Sequence, residues 1–255
     1  MVRDRVKLGL RGASYGLGLF DSNIGDSLKQ VGSYLDRTMN TRPIDPLARL
    51  WTVTKTCILL FVALIGVLII VTSFAYFPPQ FDFGFLLGRD AYFFSWYAIV
   101  FYIHVISSPI ALFIGLIQSV EWLRKRSHRV HQALGYGYVC IVLLFTAPSG
   151  LAMSIKASGG SSAIIGFSLL AIATFVTTLS GFRAARLGRF IRHRQWMTRS
   201  YLLICSAVVL RLIAAVCAQL ELDHITYGAM AWLSWLPSLL IYETVLRVHG
   251  YRIAR

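Results

Sequence analysis

Six stretches of about twenty mostly apolar residues run through the chain, and their length is what most limits how it can fold. A hydrocarbon core about 30 Å thick is crossed by roughly 20 helical residues rising 1.5 Å each. The stretches extend approximately from Thr54 to Phe77, Ser95 to Val120, Ala133 to Met153, Ala163 to Gly181, Ser200 to Leu220 and Thr226 to Leu246. In lipid each backbone polar group must be paired within its own segment, so such runs specify helices. The expected fold is all-α: a polytopic integral membrane protein with six transmembrane helices over residues 54–247. An extension over 1–53 precedes them and a basic tail over 248–255 follows. Only 14% of the 255 residues are charged and 56% are hydrophobic, against roughly 25% charged in an ordinary soluble domain. A typical soluble enzyme is excluded.

The positive charge is distributed with the same period as the spans. Nine Lys and Arg residues lie in the N-terminal region through Lys55, from Arg3 onward, and Arg124, Lys125, Arg126 and Arg129 lie between the second and third spans. Six arginines, Arg183, Arg186, Arg189, Arg192, Arg194 and Arg199, lie between the fourth and fifth, and Arg247, Arg252 and Arg255 end the chain. The alternate loops hold only Arg89 and Lys156. This is the positive-inside pattern, which puts both termini on the cytoplasmic side of a bacterial inner membrane or, alternatively, the matrix side of a mitochondrial one. The formal net charge of +14 is then chiefly a topology signal. It gives no reason to expect nucleic acid, since no aromatic-interleaved basic patch or finger spacing accompanies it.

The extension has its own pattern. Leu17, Phe20, Ile24, Leu28, Val31 and Leu35 repeat at helical spacing, which predicts a short amphipathic helix, either lying among lipid headgroups, docked on a larger membrane complex or simply at the surface. Four glycines, Gly16, Gly18, Gly25 and Gly32, weaken it, and Pro43 and Pro46 mark the turn into the first span. No apolar run opens the chain, so no cleavable signal peptide is expected. Cys57, Cys140, Cys205 and Cys217 all fall in apolar runs without metal-ligand spacing.

Ionisable groups inside a span are costly and point to function. His104 in the second span and Arg211 in the fifth each stand about nine residues, on the order of 13 Å, from the outer end. They share a depth and define a candidate outer-half polar site. Glu243, near the inner end of the sixth span, reads as an ion-pair partner for the basic loops. His128 and His131 precede the third span and His193 the fifth. These imidazoles either ligate a haem iron, bind zinc or stand in water among arginines. His193 and Arg211 are eighteen residues apart, five helical turns, and share a stripe if the helix is continuous. Arg194 and Arg199 serve either as headgroup anchors beside Trp196 or as partners for an anionic group such as a haem propionate. Pro148 and Gly150 should loosen the third helix.

These residues carry a resemblance. His104, HQALGYGYV from His131, TAPSG from Thr146, HRQWMTRSYLL from His193 and the Arg211-Leu212 pair resemble a family of bacterial membrane proteins with a domain of unknown function, over roughly residues 95 to 247. HRQWMTRSY is the most specific piece, and Gln132 replaces the Arg usual after the histidine. More distantly, the core is similar to the four-helix bundles of transmembrane b-type cytochromes. That similarity implies one inner haem b between His131 and His193, Arg194 or Arg199 near its propionates, and quinone at the His104 and Arg211 site. The fourth span has no histidine, so the outer pair is incomplete. The implied function is electron transfer. The alternative is a cofactor-free accessory subunit of a respiratory or photosynthetic complex, held through the extension.

Overall fold

A computed structural model describes residues 28–33, 46–82, 84–220 and 227–253, which are helical with short connections and contain no strand. The chain divides into two units, Met1–Lys55 and Thr56–Arg255. In the first, residues 28–33 form a helix with Leu28 and Val31 exposed. The rest of the expected amphipathic helix lies outside the described residues.

Six helices are long and apolar enough to span a membrane: α1 (Arg49–Tyr76), α2 (Asp90–Gln118), α3 (His128–Ser154), α4 (Gly160–Arg186), α5 (Phe190–Gln219) and α6 (Tyr227–Val248). Their apolar side chains remain widely exposed, Leu64 at 66% and Ile241 at 66% among them. Such continuous exposure suits hydrocarbon as the surrounding solvent. The helix containing α1 opens at Pro46, where a proline is tolerated because the first N–H groups have no helical acceptor.

Several ends differ from those read off hydropathy. Helix α2 begins at Asp90, five residues early, and the expected start at Ser95 is a kink: Phe94 and Ser95 leave helical geometry at ψ 27° and ψ −149°. Helix α3 begins at His128 and α5 at Phe190. The RHRQW segment reads as a loop by hydropathy, but helical hydrogen bonds are local and continue past the end of the apolar run. Within α3, residues Val142–Thr146 form a π turn, followed by Pro148 at the start of the next α segment. Helix α5 is interrupted at Cys205, where Val208 N–H donates to the Cys205 carbonyl at 2.9 Å. The continuous stripe expected from His193 to Arg211 is therefore broken.

Helix α4 packs against the second half of α3 and the first halves of α5 and α6, while α2 packs on α3 and α5. Thr174, Thr177 and Thr178 of α4 each return their hydroxyl to the carbonyl four residues back, at 2.7 Å, which lets hydroxyls stand in an apolar environment. Helices approach closely at glycines, as membrane bundles do. Gly115 of α2 lies against the rings of Tyr201 and Tyr138, and Gly181 of α4 against Met197. Beyond the spans, Arg89 is buried and joins two loops: Nε donates to the Phe85 carbonyl at 2.7 Å, Nη1 to Tyr92 Oη at 2.7 Å and the Lys156 carbonyl at 2.8 Å, and Nη2 to Ser158 Oγ at 2.7 Å.

A methyl group at Gly115 would overlap the Tyr201 ring, which cannot swing aside as a flexible chain would. Gly115→Ala should lose about 1–3 kcal/mol through overpacking, despite alanine's higher helix propensity. Gly137→Ala, at a helical glycine with nothing within 4 Å, should leave stability equal or higher. Thermal unfolding of both variants in detergent, followed by size-exclusion chromatography, checks the contrast.

Candidate functional site

The polar groups within the spans gather at two levels. The loops rich in arginine mark one end of the bundle as its basic end; the loops of Arg89 and Lys156 lie at the other, the far end.

Toward the far end, His104 of α2 meets the π turn of α3. Its Nδ1 lies 3.2 Å from the Thr146 carbonyl and 3.1 Å from Ser149 Oγ. A carbonyl only accepts, so Nδ1 is assigned the proton. Thr146 Oγ1 donates to Ser107 Oγ at 3.0 Å, and Ser149 Oγ to the Phe145 carbonyl at 2.6 Å. Gly150 makes room: a Cβ there would stand 3.0 Å from His104 Cε1. The TAPSG segment thus supplies partners for the histidine as well as a kink. Sequence reasoning missed Ser107, Thr146 and Ser149; their one signal was three hydroxyls flanking a proline and a histidine in otherwise apolar spans.

Arg211 stands in the far half of α5, eight residues before Gln219. Its charge acts on His104, Tyr76 and Tyr227, so the two residues expected to share a depth are brought within electrostatic reach, without a direct hydrogen bond between them. An apolar cavity of about 390 Å³ adjoins this level, lined by Tyr102, Ile106, Ser107, Ile110, Ile141 and Phe145.

At the basic end the structure revises the placement of both candidate ligands. His131 and His193 do not precede their helices; each is the fourth residue within one, α3 and α5 respectively. The two helices run the same way, since α4 lies antiparallel to both: Ser154 meets Ser168 at 2.7 Å and Thr178 meets Ser200 at 2.7 Å. Tyr138 Oη bonds Ser200 Oγ at 2.8 Å, which fixes the register of α3 against α5. Each histidine lies seven residues before its partner in that bond. Seven residues are nearly two turns and about 10 Å of rise, so His131 and His193 stand equally far along their own helices from that bond, toward the basic end.

His193 Nδ1 donates to the Gly181 carbonyl at 2.9 Å, so Nε2 is the ring nitrogen outside that bond. The His131 carbonyl accepts from Gln118 Nε2 at 2.8 Å. His128 and Arg194 are exposed. Arg199 makes a bidentate pair with Glu243 of α6, Nε to Oε1 at 2.5 Å and Nη2 to Oε2 at 3.0 Å, over the Trp196 ring at 4.6 Å. Glu243 is the ion-pair partner expected, and Arg199 is committed to it. Among the described residues no group of three metal-ligating side chains comes together.

The Arg199–Glu243 pair is half-buried, between the exposed case, about 0–1 kcal/mol, and the fully buried one, about 3–5 kcal/mol when one partner is removed. Glu243→Gln should lower stability by about 1–2 kcal/mol. Combined with Arg199→Gln it should lose less than the sum of the single changes, which a double-mutant cycle measures.

Comparison with known families aligns residues 101–246 with the family described as "Predicted membrane protein (DUF2306)". Neither the curated proteins nor the solved structures provide a match. The aligned stretch covers α3, α4 and α5 whole and most of α2 and α6, including His104, Tyr138, Ser200, Arg211 and Glu243. The helical architecture and the family agree, and the chain belongs to this family of membrane proteins.

Proposed function

We propose that the protein is a membrane electron carrier of the b-type cytochrome kind, holding one haem at the basic end between His131 and His193 and exchanging electrons with a quinone. The observation that carries this reading is the register of α3 and α5. Each histidine stands seven residues before its partner in the Tyr138–Ser200 bond, and His193 has its Nδ1 held by a carbonyl, the usual support for a metal-ligating imidazole.

The donor set fits the group. His131 and His193 would hold the iron, and Arg194, exposed beside His193, would face a propionate; Arg199 is taken by Glu243. Haem supplies one-electron transfer when bound. The chain's own contribution is to fix the His193 ring through Gly181. The hydrogen-bonded layer of Tyr138, Ser200 and Thr178 closes the interior beyond them and keeps water out. On the positive-inside rule the basic end faces the cytoplasm of a bacterial inner membrane.

A second reading is a cofactor-free accessory subunit of a membrane complex. It is favoured by the same closed layer, in which Tyr201 fills the space beside Gly115, and by the exposed Leu28 and Val31 as a docking face.

A visible spectrum of the purified protein before and after dithionite separates the two. The electron-carrier reading expects a reduced α band at about one haem per chain, lost in His193→Ala and in His131→Ala. Full absorbance in either variant rejects the ligand assignment. A colourless protein whose co-migration with a complex on native gels is lost on truncating residues 1–40 favours the accessory subunit.

A further inference from the structure

Two arginines lie toward the far end, and their surroundings are opposite. Arg89 is 5% exposed and directs four hydrogen bonds to neutral acceptors, with its guanidinium 4.4 Å from the Phe85 ring centre. It is a structural clamp. Arg211 is exposed, and the one hydrogen bond of its guanidinium among the described residues is a long one, from Nη1 to the Ala207 carbonyl of its own helix at 3.2 Å.

Its position makes that isolation unusual. Arg211 stands about 12 Å along the axis from the end of α5, within the apolar span. Ala207 lies on the side of the membrane centre, so the side chain folds back into the span instead of extending toward the near interface as a long cationic chain ordinarily does. Ion pairs among the described residues join Lys125 to Glu121 and Arg199 to Glu243, both at the basic end. Among the described residues no carboxylate pairs with Arg211. The groups its charge reaches are His104, Tyr76 and Tyr227, two phenols and a neutral imidazole. No hydrogen bond of either phenol hydroxyl occurs among the described residues.

A cation at this depth without a counter-ion is costly, and intramembrane charges are ordinarily paired. A guanidinium with open donors is also a fork that matches an oxyanion at two points, and the phenols within reach of its charge could add neutral donors. We propose that Arg211, with Tyr76 and Tyr227, is a binding site for an oxyanion, a phosphate or carboxylate group, that enters at the far half of the bundle. The ligand supplies the negative charge that no described residue brings to this guanidinium. The oxyanion is borne by an amphiphile in the bilayer or arrives free from water. This site does not rest on the haem reading, and it stands or falls separately from the spectrum that tests it.

The test uses the full chain in phosphatidylcholine nanodiscs. Inorganic phosphate, phosphatidylglycerol and oleate are each titrated, with thermal unfolding and native mass spectrometry as readouts. Wild type should be stabilised by several degrees and retain the anion as an adduct. Arg211→Gln should weaken binding at least tenfold, and Arg211→Lys, which keeps the charge but loses the fork, should fall between. Arg186→Gln, at the exposed basic end of α4, should bind as wild type does, which separates this site from general attraction of anions to the arginine loops. A response to phosphate alone identifies a free anion, and one confined to phosphatidylglycerol or oleate identifies an amphiphile; both support the site. If Arg211→Gln does not fold, Tyr227→Phe carries the comparison and should bind several-fold more weakly. Equal binding by wild type and the folded variants, or no response of wild type to any of the three anions, overturns the proposal.

Discussion

Hydrocarbon offers no hydrogen bonds, and that constraint decides most of what this chain does with its polar atoms. A regular helix satisfies its own backbone, but α3 does not stay regular: the π turn at Val142–Thr146 and Pro148 beyond it disturb the ladder. The Thr146 carbonyl accepts from His104, and Ser149 returns its hydroxyl to Phe145. The histidine needs a partner in lipid as much as the carbonyl does. Kink and imidazole are therefore one feature, and α2 is held to α3 where the helix is least able to hold itself.

The same requirement is met at mid-depth by a joint of three helices. Tyr138, Ser200 and Thr178 form a continuous chain of hydroxyls at 2.8 and 2.7 Å, and the last returns to the Thr174 carbonyl at 2.7 Å. Hydroxyls are worth only modest energies between membrane helices, but their geometry is directional. Helices that could slide on apolar contacts alone are pinned at one register. His131 and His193 each stand seven residues from that joint along their own helices.

The number of helices was legible because hydropathy reports the solvent a segment must face, and all six runs became helices. Their ends were less so. Hydropathy stops where charge begins, whereas the helix of α5 continues ten residues beyond its expected start at Ser200, through Arg199, Gln195 and His193. Glu243 could be paired in advance since its place near the basic end left few partners for a carboxylate. The contacts of His104 could not, because Thr146 and Ser149 face it only through a π turn, and a π turn adds a residue that simple periodicity does not count. The break at Cys205 was hidden for a similar reason: nothing in ICSAVV is a helix breaker.

The hydroxyl joint also separates the two polar levels. His131 and His193 lie on its basic side, and His104 with Arg211 on the other, and the joint between them is filled by Tyr138, buried to 1% exposure, with Ser200 and Thr178 fully buried. A solute passing from one level to the other would have to part α3, α4 and α5 at their shortest polar contacts, while Gly115 and Gly181 hold the neighbouring rings and Met197 in close packing. Interiors packed to this degree respond by switching between discrete arrangements rather than by yielding gradually. The closed joint therefore divides the polar groups of the bundle into two sets, imidazoles toward the basic end and His104 with the Arg211 guanidinium in the far half.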